Sequence, residues 1–405
     1  MDVLIAGAGI GGLSAALALA RGGASVRVFE QRGSSDADVG AGIQLSPNAM
    51  RVLASWGLGE AVDAAAFHPQ RISLRNGRTL RRTASLVLGD RLRARHGFPY
   101  LHIHRGDLRN ILFEALIAER GNIVAADTRI EAVLPGATRP QLRLADGRTV
   151  AGDVLIGADG IRSITREALF GADAPRFTGY VAWRGLVDAA RARHLGIEPE
   201  AASYMVQGAH VVTYFVRSGN AINFVGVAER TEPPDETWEN EGARSAFARD
   251  MAPFHPALRA LAGMIERPLL WPLFDRAPLP HWSKGAITLL GDACHPMLPF
   301  LAQGACMAIE DAAVLSRCLQ GASGPQEIAS ALIRYEQARK ARTARVQAEA
   351  RAQGRFFHTK AAPMAAITRA IMGAGARFAP NLALSRYDWL WGHDALAAPL
   401  PPVVA

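Results

Sequence analysis

Three glycines near the start of the chain, Gly7, Gly9 and Gly12, have the spacing G-x-G-x-x-G. After a strand, the first allows a tight turn, the second lets the backbone approach a pyrophosphate, and the third lets a helix pack closely. Glu30 follows at a distance where a carboxylate can bind ribose hydroxyls. The pattern predicts a dinucleotide site that includes Ala8. The alternative is a glycine-rich turn that binds no ligand, and it is disfavoured because the motif lies between a strand and a helix.

A second turn with a carboxylate, Asp159-Gly160, follows the apolar run Val154–Ile156. Ligands bind at such strand ends in doubly wound sheets. Taken alone, however, this turn favours a simpler interpretation, in which Asp159 caps the following helix.

A third segment repeats this arrangement late in the chain. The apolar run Ile287–Leu290 leads into Asp292, and a helix is predicted over Gln303–Leu319. The first turn of that helix, at Gly304 and Ala305, has positive potential that stabilises negative charge. A flavin ring acquires such charge when it is reduced, and the Asp292 carboxylate can bind the hydroxyls of a sugar alcohol.

His210 and Tyr214 lie four residues apart in a Val-rich segment that is predicted to be a strand. An even spacing places both side chains on one face, so both can point into one cavity. A histidine can remove a phenolic proton near neutral pH, which leaves a more electron-rich ring. The alternative is that both residues pack in the sheet with satisfied polar tips.

The composition is that of a globular protein, with a net charge of +8 and 49% hydrophobic residues. The basic residues are scattered, which favours attraction of small anions over nucleic-acid binding. Cys294, Cys306 and Cys318 show neither a disulfide framework nor a metal-ligand pattern, so no metal is expected. No apolar run is long enough to span a bilayer and no leader peptide is recognised, which predicts a cytoplasmic protein.

Two kinds of sheet are needed to position these residues. The strand–turn–helix–strand pattern of residues 2–30 predicts a parallel, Rossmann-like sheet. Alternating Val- and Phe-rich segments between residues 180 and 226, with a polar segment at 71–92, predict a mainly antiparallel sheet. We therefore predict an α/β fold, α+β overall, in which the two units interleave and C-terminal helices follow.

The predicted boundaries divide each unit along the chain. The dinucleotide-binding unit takes residues 1–70, 98–177 and 271–325. The substrate unit takes residues 71–97 as an insertion and residues 178–270 as its main sheet, and residues 326–405 form a C-terminal helical region.

In series, the three glycine–acid segments resemble the single-component FAD-dependent aromatic hydroxylases. The resemblance rests on G-A-G-I-G-G at 7–12, G-A-D-G-I-R-S at 157–163 and G-D-A-C-H-P at 291–296, in this order over nearly the whole chain. Within that family the chain is most similar to the salicylate, 3-hydroxybenzoate 6- and 6-hydroxynicotinate hydroxylases. The supporting segments are residues 40–48, 102–108, 180–185 and 388–394.

The resemblance implies an enzyme that binds FAD, accepts electrons from NADH or NADPH, and transfers one atom of dioxygen to a small aromatic acid through a flavin 4a-hydroperoxide. It implies that Arg105 contacts FAD and that Asp159 serves both FAD and the nicotinamide nucleotide. The cofactor-binding residues implied are Gly7, Ala8, Gly9, Gly12, Glu30, Arg32, Arg105, Asp159, Gly160, Asp292, Gly304 and Ala305.

The resemblance also implies the residues of a substrate pocket. His210 and Tyr214 would be the acid/base pair, and Pro296 would line the pocket where oxygen reacts. Gln44 and Arg184 are candidates for binding a carboxylate, although a structural ion pair is the alternative for Arg184. Gln44 and Phe300 replace histidines of the hydroxynicotinate relatives, and Pro299 replaces a glutamine of the 3-hydroxybenzoate relatives. These departures leave the substrate open and make the pocket more apolar.

Two alternatives remain for the function: an FAD monooxygenase with a larger or non-aromatic substrate, and a non-catalytic FAD-binding redox protein. The sequence also leaves open the regiochemistry, any accompanying decarboxylation, the choice between NADH and NADPH, and whether the chain is a monomer or a homodimer.

Overall fold

The computed structural model describes residues 1–33, 41–135, 139–233, 241–358 and 380–402. Gly40, residues 359–379 and residues 403–405, which belong to segments considered above, lie outside these ranges. The strands are β1 (Asp2–Ala6), β2 (Ser25–Phe29), β3 (Gly42–Leu45), β4 (Arg71–Asn76), β5 (Arg82–Val87), β6 (Leu101–His104), β7 (Val124–Ala125), β8 (Ile130–Leu134), β9 (Gln141–Leu144), β10 (Thr149–Ala151), β11 (Val154–Gly157), β12 (Arg176–Asp188), β13 (Ala201–Val206), β14 (Ala209–Val216), β15 (Ala221–Glu229), β16 (Leu269–Asp275), β17 (Ser283–Lys284) and β18 (Ile287–Leu289).

The helices are α1 (Ile10–Arg21), α2 (Pro47–Ser55), α3 (Gly59–Ala65), α4 (Gly89–His96), α5 (Arg105–Arg120), α6 (Ile164–Phe170), α7 (Ala189–Ala192), α8 (Glu241–Met251), α9 (Pro256–Gly263), α10 (Gly304–Leu319), α11 (Pro325–Phe357), α12 (Pro380–Ser385) and α13 (Asp388–Trp391). Among the described residues, none of these helices is both long and apolar enough to cross a membrane.

The central strands of the first sheet, β18, β11 and β1, are apolar and buried on both faces, as expected when helices cover a parallel sheet. Its strand order is β17-β18-β11-β1-β2-β7. The pairs from β18 to β7 are parallel and β17 is antiparallel at one edge. The turn from β1 to α1 depends on close packing, because a Cβ at Gly12 would lie 1.9 Å from the carbonyl oxygen of Gly7.

The second sheet has the order β16-β12-β15-β14-β13-β4-β5. All pairs are antiparallel except β13 with β4. Strands β4 and β5 come from the early polar segment, so the chain enters this sheet twice, as the predicted interleaving requires. The predicted boundary between residues 270 and 271 falls inside β16. The predicted architecture of a Rossmann-like sheet, a mainly antiparallel sheet and C-terminal helices is confirmed.

A buried ionic network ties the C-terminal helix α11 to α10. Arg339 donates to Glu310 and to Asp311 at 2.7 Å each, and Arg342 donates to Glu310 at 2.7 Å. Burial would raise the pKa of Glu310, but the two arginines lower it to about 2. The network is fully paired, and removal of one partner would leave a buried charge at a cost of about 3–5 kcal/mol. It therefore holds α10 in one position against the first sheet.

Candidate active site

A cavity of about 830 Å³ lies between the two sheets and the C-terminal helices. The predicted residues that line it are Gly9, Arg105, Gly160, Asp292, Gly304 and Ala305 from the cofactor set, and Gln44, Arg184, His210, Tyr214 and Phe300 from the substrate set. Residues from distant parts of the chain thus meet around one space. Pro296 is buried behind this lining, where its carbonyl oxygen accepts a hydrogen bond from Gln347 at 2.8 Å.

The glycine turn after β1 has the geometry of a phosphate cradle. A Cβ at Gly9 would meet nothing within 4 Å, so the backbone borders open space there. Gly9 occupies the N-cap of α1 without a side-chain cap, which leaves the N–H groups of the first turn for a ligand. The Glu30 carboxylate accepts hydrogen bonds from the N–H groups of Ala8, at 2.8 Å, and Arg32, at 3.0 Å. These bonds hold the carboxylate beside the turn.

The turn after β11 is held by its own carboxylate. Asp159 accepts hydrogen bonds from the hydroxyls of Ser163, at 2.5 Å, and Thr165, at 2.9 Å, and from the Thr165 N–H at 3.0 Å. This is the local stabilising role considered for Asp159 in the sequence. Gly160, at φ +76°, lines the cavity beside it. The role of Asp159 towards nucleotides stays a prediction.

A second uncapped helix N-terminus faces the cavity at α10. Gln303 at the N-cap makes no side-chain cap bond, so the positive end of α10 is available at Gly304 and Ala305. Asp292 lines the cavity next to it. Desolvation raises the pKa of Asp292, while His295 and Arg105 lower it. Two free helix ends, a cradle of glycines and two carboxylates fit a dinucleotide whose ring gains negative charge on reduction.

Arg184 and His210 lie on the same face of the second sheet. The register pairs Arg184 with Val225, and Val225 with Val212, so these three form one row across β12, β15 and β14. His210 pairs with Val227 in the next row. Since strands lie about 4.8 Å apart and rise about 3.3 Å per residue, the two backbones are separated by about 10 Å across the sheet and about 7 Å along it. The space between Arg184 and His210 is therefore wide enough for one aromatic ring with its substituents.

His210 is almost fully buried, with 1% of its surface exposed. Burial, and secondly His358, lower the pKa of His210 well below its ordinary value. The ring is therefore held in its neutral form, in which one of its two nitrogens can accept a hydrogen bond. Its Nδ1 lies 3.1 Å from Nε2 of His358, and its ring contacts those of Phe300 and Phe357.

Tyr214 shares this face with His210 but has its own partner. Its hydroxyl donates to the carbonyl oxygen of Gly42, whose N–H donates to Asn223 at 2.7 Å. Burial raises the pKa of Tyr214 well above its ordinary range, against the influence of Arg184. No hydrogen bond joins His210 and Tyr214 within the described chain, so the predicted pair meets the cavity at two separate points.

Arg184 has no carboxylate partner among the residues that the structure describes. Its guanidinium lies over the Trp271 ring at 5.3 Å, and its Nε has no hydrogen-bond partner among the described residues. Burial lowers the pKa of Arg184, and the only other influences come from Tyr214, which raises it, and Arg105, which lowers it. A structural ion pair, the alternative considered for Arg184, is absent from the described part of the molecule.

Comparison with known proteins identifies the family of this chain. The family described as FAD binding domain matches residues 1–350. The chain belongs to this family. It is 36% identical to the 3-amino-4-hydroxybenzoate 2-monooxygenase PtmB3 of Streptomyces platensis, over 97% of this chain and 96% of that protein. It is 35% identical to the 3-hydroxybenzoate 6-hydroxylase 1 of Aquipseudomonas alcaligenes, over 98% of both chains.

A solved structure of a salicylate hydroxylase with its substrate has the same fold, with a TM-score of 0.80 and 26% identity over 98% of this chain and 96% of that one. The predicted recognition is confirmed: this flavoprotein is an FAD-dependent aromatic monooxygenase, and NADH or NADPH is the usual co-substrate of such hydroxylases.

The flavoprotein's cavity also contains residues that the sequence did not reveal. The Tyr100 hydroxyl donates to the Gln44 side-chain oxygen and so fixes one predicted substrate residue. Phe357 and Trp391 line the cavity from the C-terminal helices, and His358 contacts His210. Trp391 belongs to the segment 388–394 that supports the resemblance, but no motif indicates that it, Tyr100, Phe357 or His358 reaches the cavity. Helix α11 could be recognised as amphipathic, but nothing in its pattern indicates that its last turn reaches the second sheet.

Proposed function

We propose that this flavoprotein hydroxylates a small aromatic or heteroaromatic acid that carries a ring hydroxyl, such as a hydroxybenzoate, salicylate or hydroxynicotinate. NADH or NADPH would supply the electrons, and dioxygen would supply the inserted oxygen atom. One observation carries the proposal. The Arg184 guanidinium, which has no carboxylate partner in the described part of the chain, and the neutral buried imidazole of His210 face one cavity from one sheet. A substrate ring with an anionic group and an acidic hydroxyl matches this arrangement, because the anion can bind Arg184 and the hydroxyl can bind His210.

Arg184 is proposed to bind the substrate carboxylate. A half-buried cation that has no described counter-ion is costly, so an anion that enters the cavity gains a charge-assisted, bidentate contact. Trp271 limits the directions in which the guanidinium can point. Tyr214 lies close enough to influence Arg184 and is a second candidate for the same carboxylate.

His210 is proposed to be the general base. Because Nδ1 is oriented by His358, Nε2 is the nitrogen directed to a substrate hydroxyl. Removal of that proton makes the ortho and para ring carbons more electron-rich, and it is these carbons that accept the oxygen atom. The rings of Phe300 and Phe357 exclude water around His210 and keep the reacting carbon in an apolar space.

The cofactor residues have a positioning role in this scheme. Glu30, Asp292 and the free N-termini of α1 and α10 would hold FAD, with the α10 end nearest the ring. When bound, the reduced cofactor supplies the activated oxygen. We also infer that the enzyme works in the cytoplasm, where NADH and NADPH are present, as a monomer or a homodimer that sedimentation analysis can distinguish.

A substrate screen tests the proposal. FAD-loaded protein is mixed with NADH or NADPH and with salicylate, hydroxybenzoates or hydroxynicotinates in turn, and both nucleotide oxidation and ring-hydroxylated product are measured. We expect at least one of these acids to stimulate oxidation and to yield about one product per nucleotide. Stimulation only by larger or non-aromatic compounds, or by none, would overturn the proposed substrate class.

A further inference from the structure

A row of polar groups continues from His210 along the face of the second sheet to its edge. His210 and Val227 form one row, and the next row contains Glu229, which pairs with Tyr180 on β12. His358 follows the last turn of α11 and packs against Tyr180, with ring centroids 4.3 Å apart. The His358 ring thereby lies between His210 and Glu229.

The contacts in this row have the order of a proton path. His210 Nδ1 and His358 Nε2 are 3.1 Å apart, and His358 Nδ1 is 3.8 Å from Oε1 of Glu229. The two histidines are buried, with 1% and 5% of their surfaces exposed, whereas the Glu229 side chain is 32% exposed. The path therefore begins at the cavity and ends at the protein surface.

Electrostatics explains why a proton would leave His210 along this path. A buried base that takes a proton becomes a buried cation, and desolvation disfavours that state. Among the described residues, the groups in contact with His210 are His358 and the Phe300 and Phe357 rings, and none of them is anionic. The Glu229 carboxylate lies beyond His358, with Oε1 3.8 Å from Nδ1 of His358. Transfer of the charge to His358 moves it towards an anion and water.

We propose that His358 and Glu229 relay the substrate's phenolic proton from His210 to solvent. The substrate O–H bond breaks as Nε2 of His210 binds the proton, and the proton on Nδ1 of His210 passes to Nε2 of His358. The proton on Nδ1 of His358 passes to the Glu229 carboxylate once rotation of the partly exposed Glu229 side chain shortens the 3.8 Å between Nδ1 and Oε1 to hydrogen-bond distance. The carboxylate then releases the proton to water. Each bond formed matches a bond broken, and no other reactant is needed. His358 and Glu229 are positioning residues, because they act through His210. The inference rests on the proposed function.

Two substitutions and one matched control test the relay. Glu229→Gln preserves shape at a partly exposed position, and His358→Gln removes the central imidazole. His281→Gln makes the same exchange at a histidine whose side chain is 72% exposed and which is paired with Glu336. The probe is 3-hydroxybenzoate bound to the oxidised FAD enzyme. Its phenolate absorbance is followed against pH by difference spectroscopy, together with its dissociation constant and the rate of its hydroxylation.

We expect both relay variants to raise the pH midpoint for phenolate formation by about one unit, and to slow hydroxylation at pH 7 about tenfold, with recovery near pH 9. The dissociation constant and the His281→Gln control should be unchanged. A wild-type midpoint and rate in Glu229→Gln and His358→Gln would overturn the relay while leaving the hydroxylase intact. Failure of wild-type enzyme to bind or hydroxylate any of the screened phenolic acids would instead overturn the proposed function, and the relay with it.

Discussion

Single residues in this flavoprotein derive their roles from the partners that the fold provides or withholds. The cofactor-side carboxylates Glu30 and Asp159 are already hydrogen-bonded to their own turns. Arg184 is different, because its charge faces the cavity and no described carboxylate pairs with it. A residue type alone does not distinguish these cases. Because no described carboxylate pairs with Arg184, it is the residue of this group that we expect to bind an anionic substrate.

Substitution of Arg184 by Met is expected to raise the KM for the aromatic acid substrate. A charge-assisted contact is worth about 1.5–3 kcal/mol, which corresponds to roughly tenfold to hundredfold in KM. The carboxylate does not react, so it is bound equally before and during the reaction, and kcat should change little. Steady-state kinetics checks this, with Arg259→Met at an exposed position as the control. An unchanged KM would assign the carboxylate to another group.

In the β1–α1 turn, two glycines of one motif have different roles. Gly12 is required by packing, because an added Cβ would meet the Gly7 carbonyl oxygen at 1.9 Å. Gly9 borders open space and has an ordinary extended backbone, with φ −73° and ψ −177°. One glycine therefore serves the fold and the other serves the ligand.

A matched pair of substitutions separates these roles. Gly12→Ala is expected to lower the free energy of unfolding by about 1–3 kcal/mol, through forced displacement of α1 from β1. Gly9→Ala should leave unfolding of the FAD-free protein unchanged but weaken FAD binding at least about tenfold, since its methyl group enters the phosphate site. Urea denaturation and titration of FAD fluorescence measure the two effects. Equal effects of both substitutions would contradict this division.

At the scale of the whole molecule, buried neutral histidines couple stability to pH. Burial lowers the pKa of His102 to about 3 and that of His393 to about 4, and His210 is shifted in the same direction. In the unfolded chain these groups bind protons near pH 6.5. Below that pH the unfolded state holds more protons than the folded state, so acidification favours unfolding. Above pH 6.5 both states are neutral and the effect vanishes.

We therefore expect the free energy of unfolding to fall between pH 6.5 and pH 4.5, by up to about 1.4 kcal/mol per pH unit for each such histidine. His102→Phe should reduce this slope by the share of one group, since His102 lies among the Phe67, Tyr100 and Tyr214 rings. Urea denaturation at several pH values measures it. The exposed His194→Gln serves as control, and a slope equal to wild type in His102→Phe would contradict the assignment.

Much of the fold and the cofactor end of the site could be predicted from sequence, because the signals there are local. The G-x-G-x-x-G turn, the apolar strands before Asp159 and Asp292, and the α10 start all lie within short continuous segments. Their geometry follows from backbone constraints that act over a few residues. The even spacing of His210 and Tyr214 likewise predicted that both would line one cavity, as they do.

Order along the chain thus determined the family, the cofactor motifs and the two kinds of sheet. Only the tertiary structure decided that Arg184 has no described carboxylate partner, that Tyr214 is bonded to Gly42, and that the end of α11 brings His358 to His210. These contacts join residues that are up to about 170 positions apart. Such pairings depend on how whole elements pack, and packing leaves no periodic or spaced signal in a single sequence.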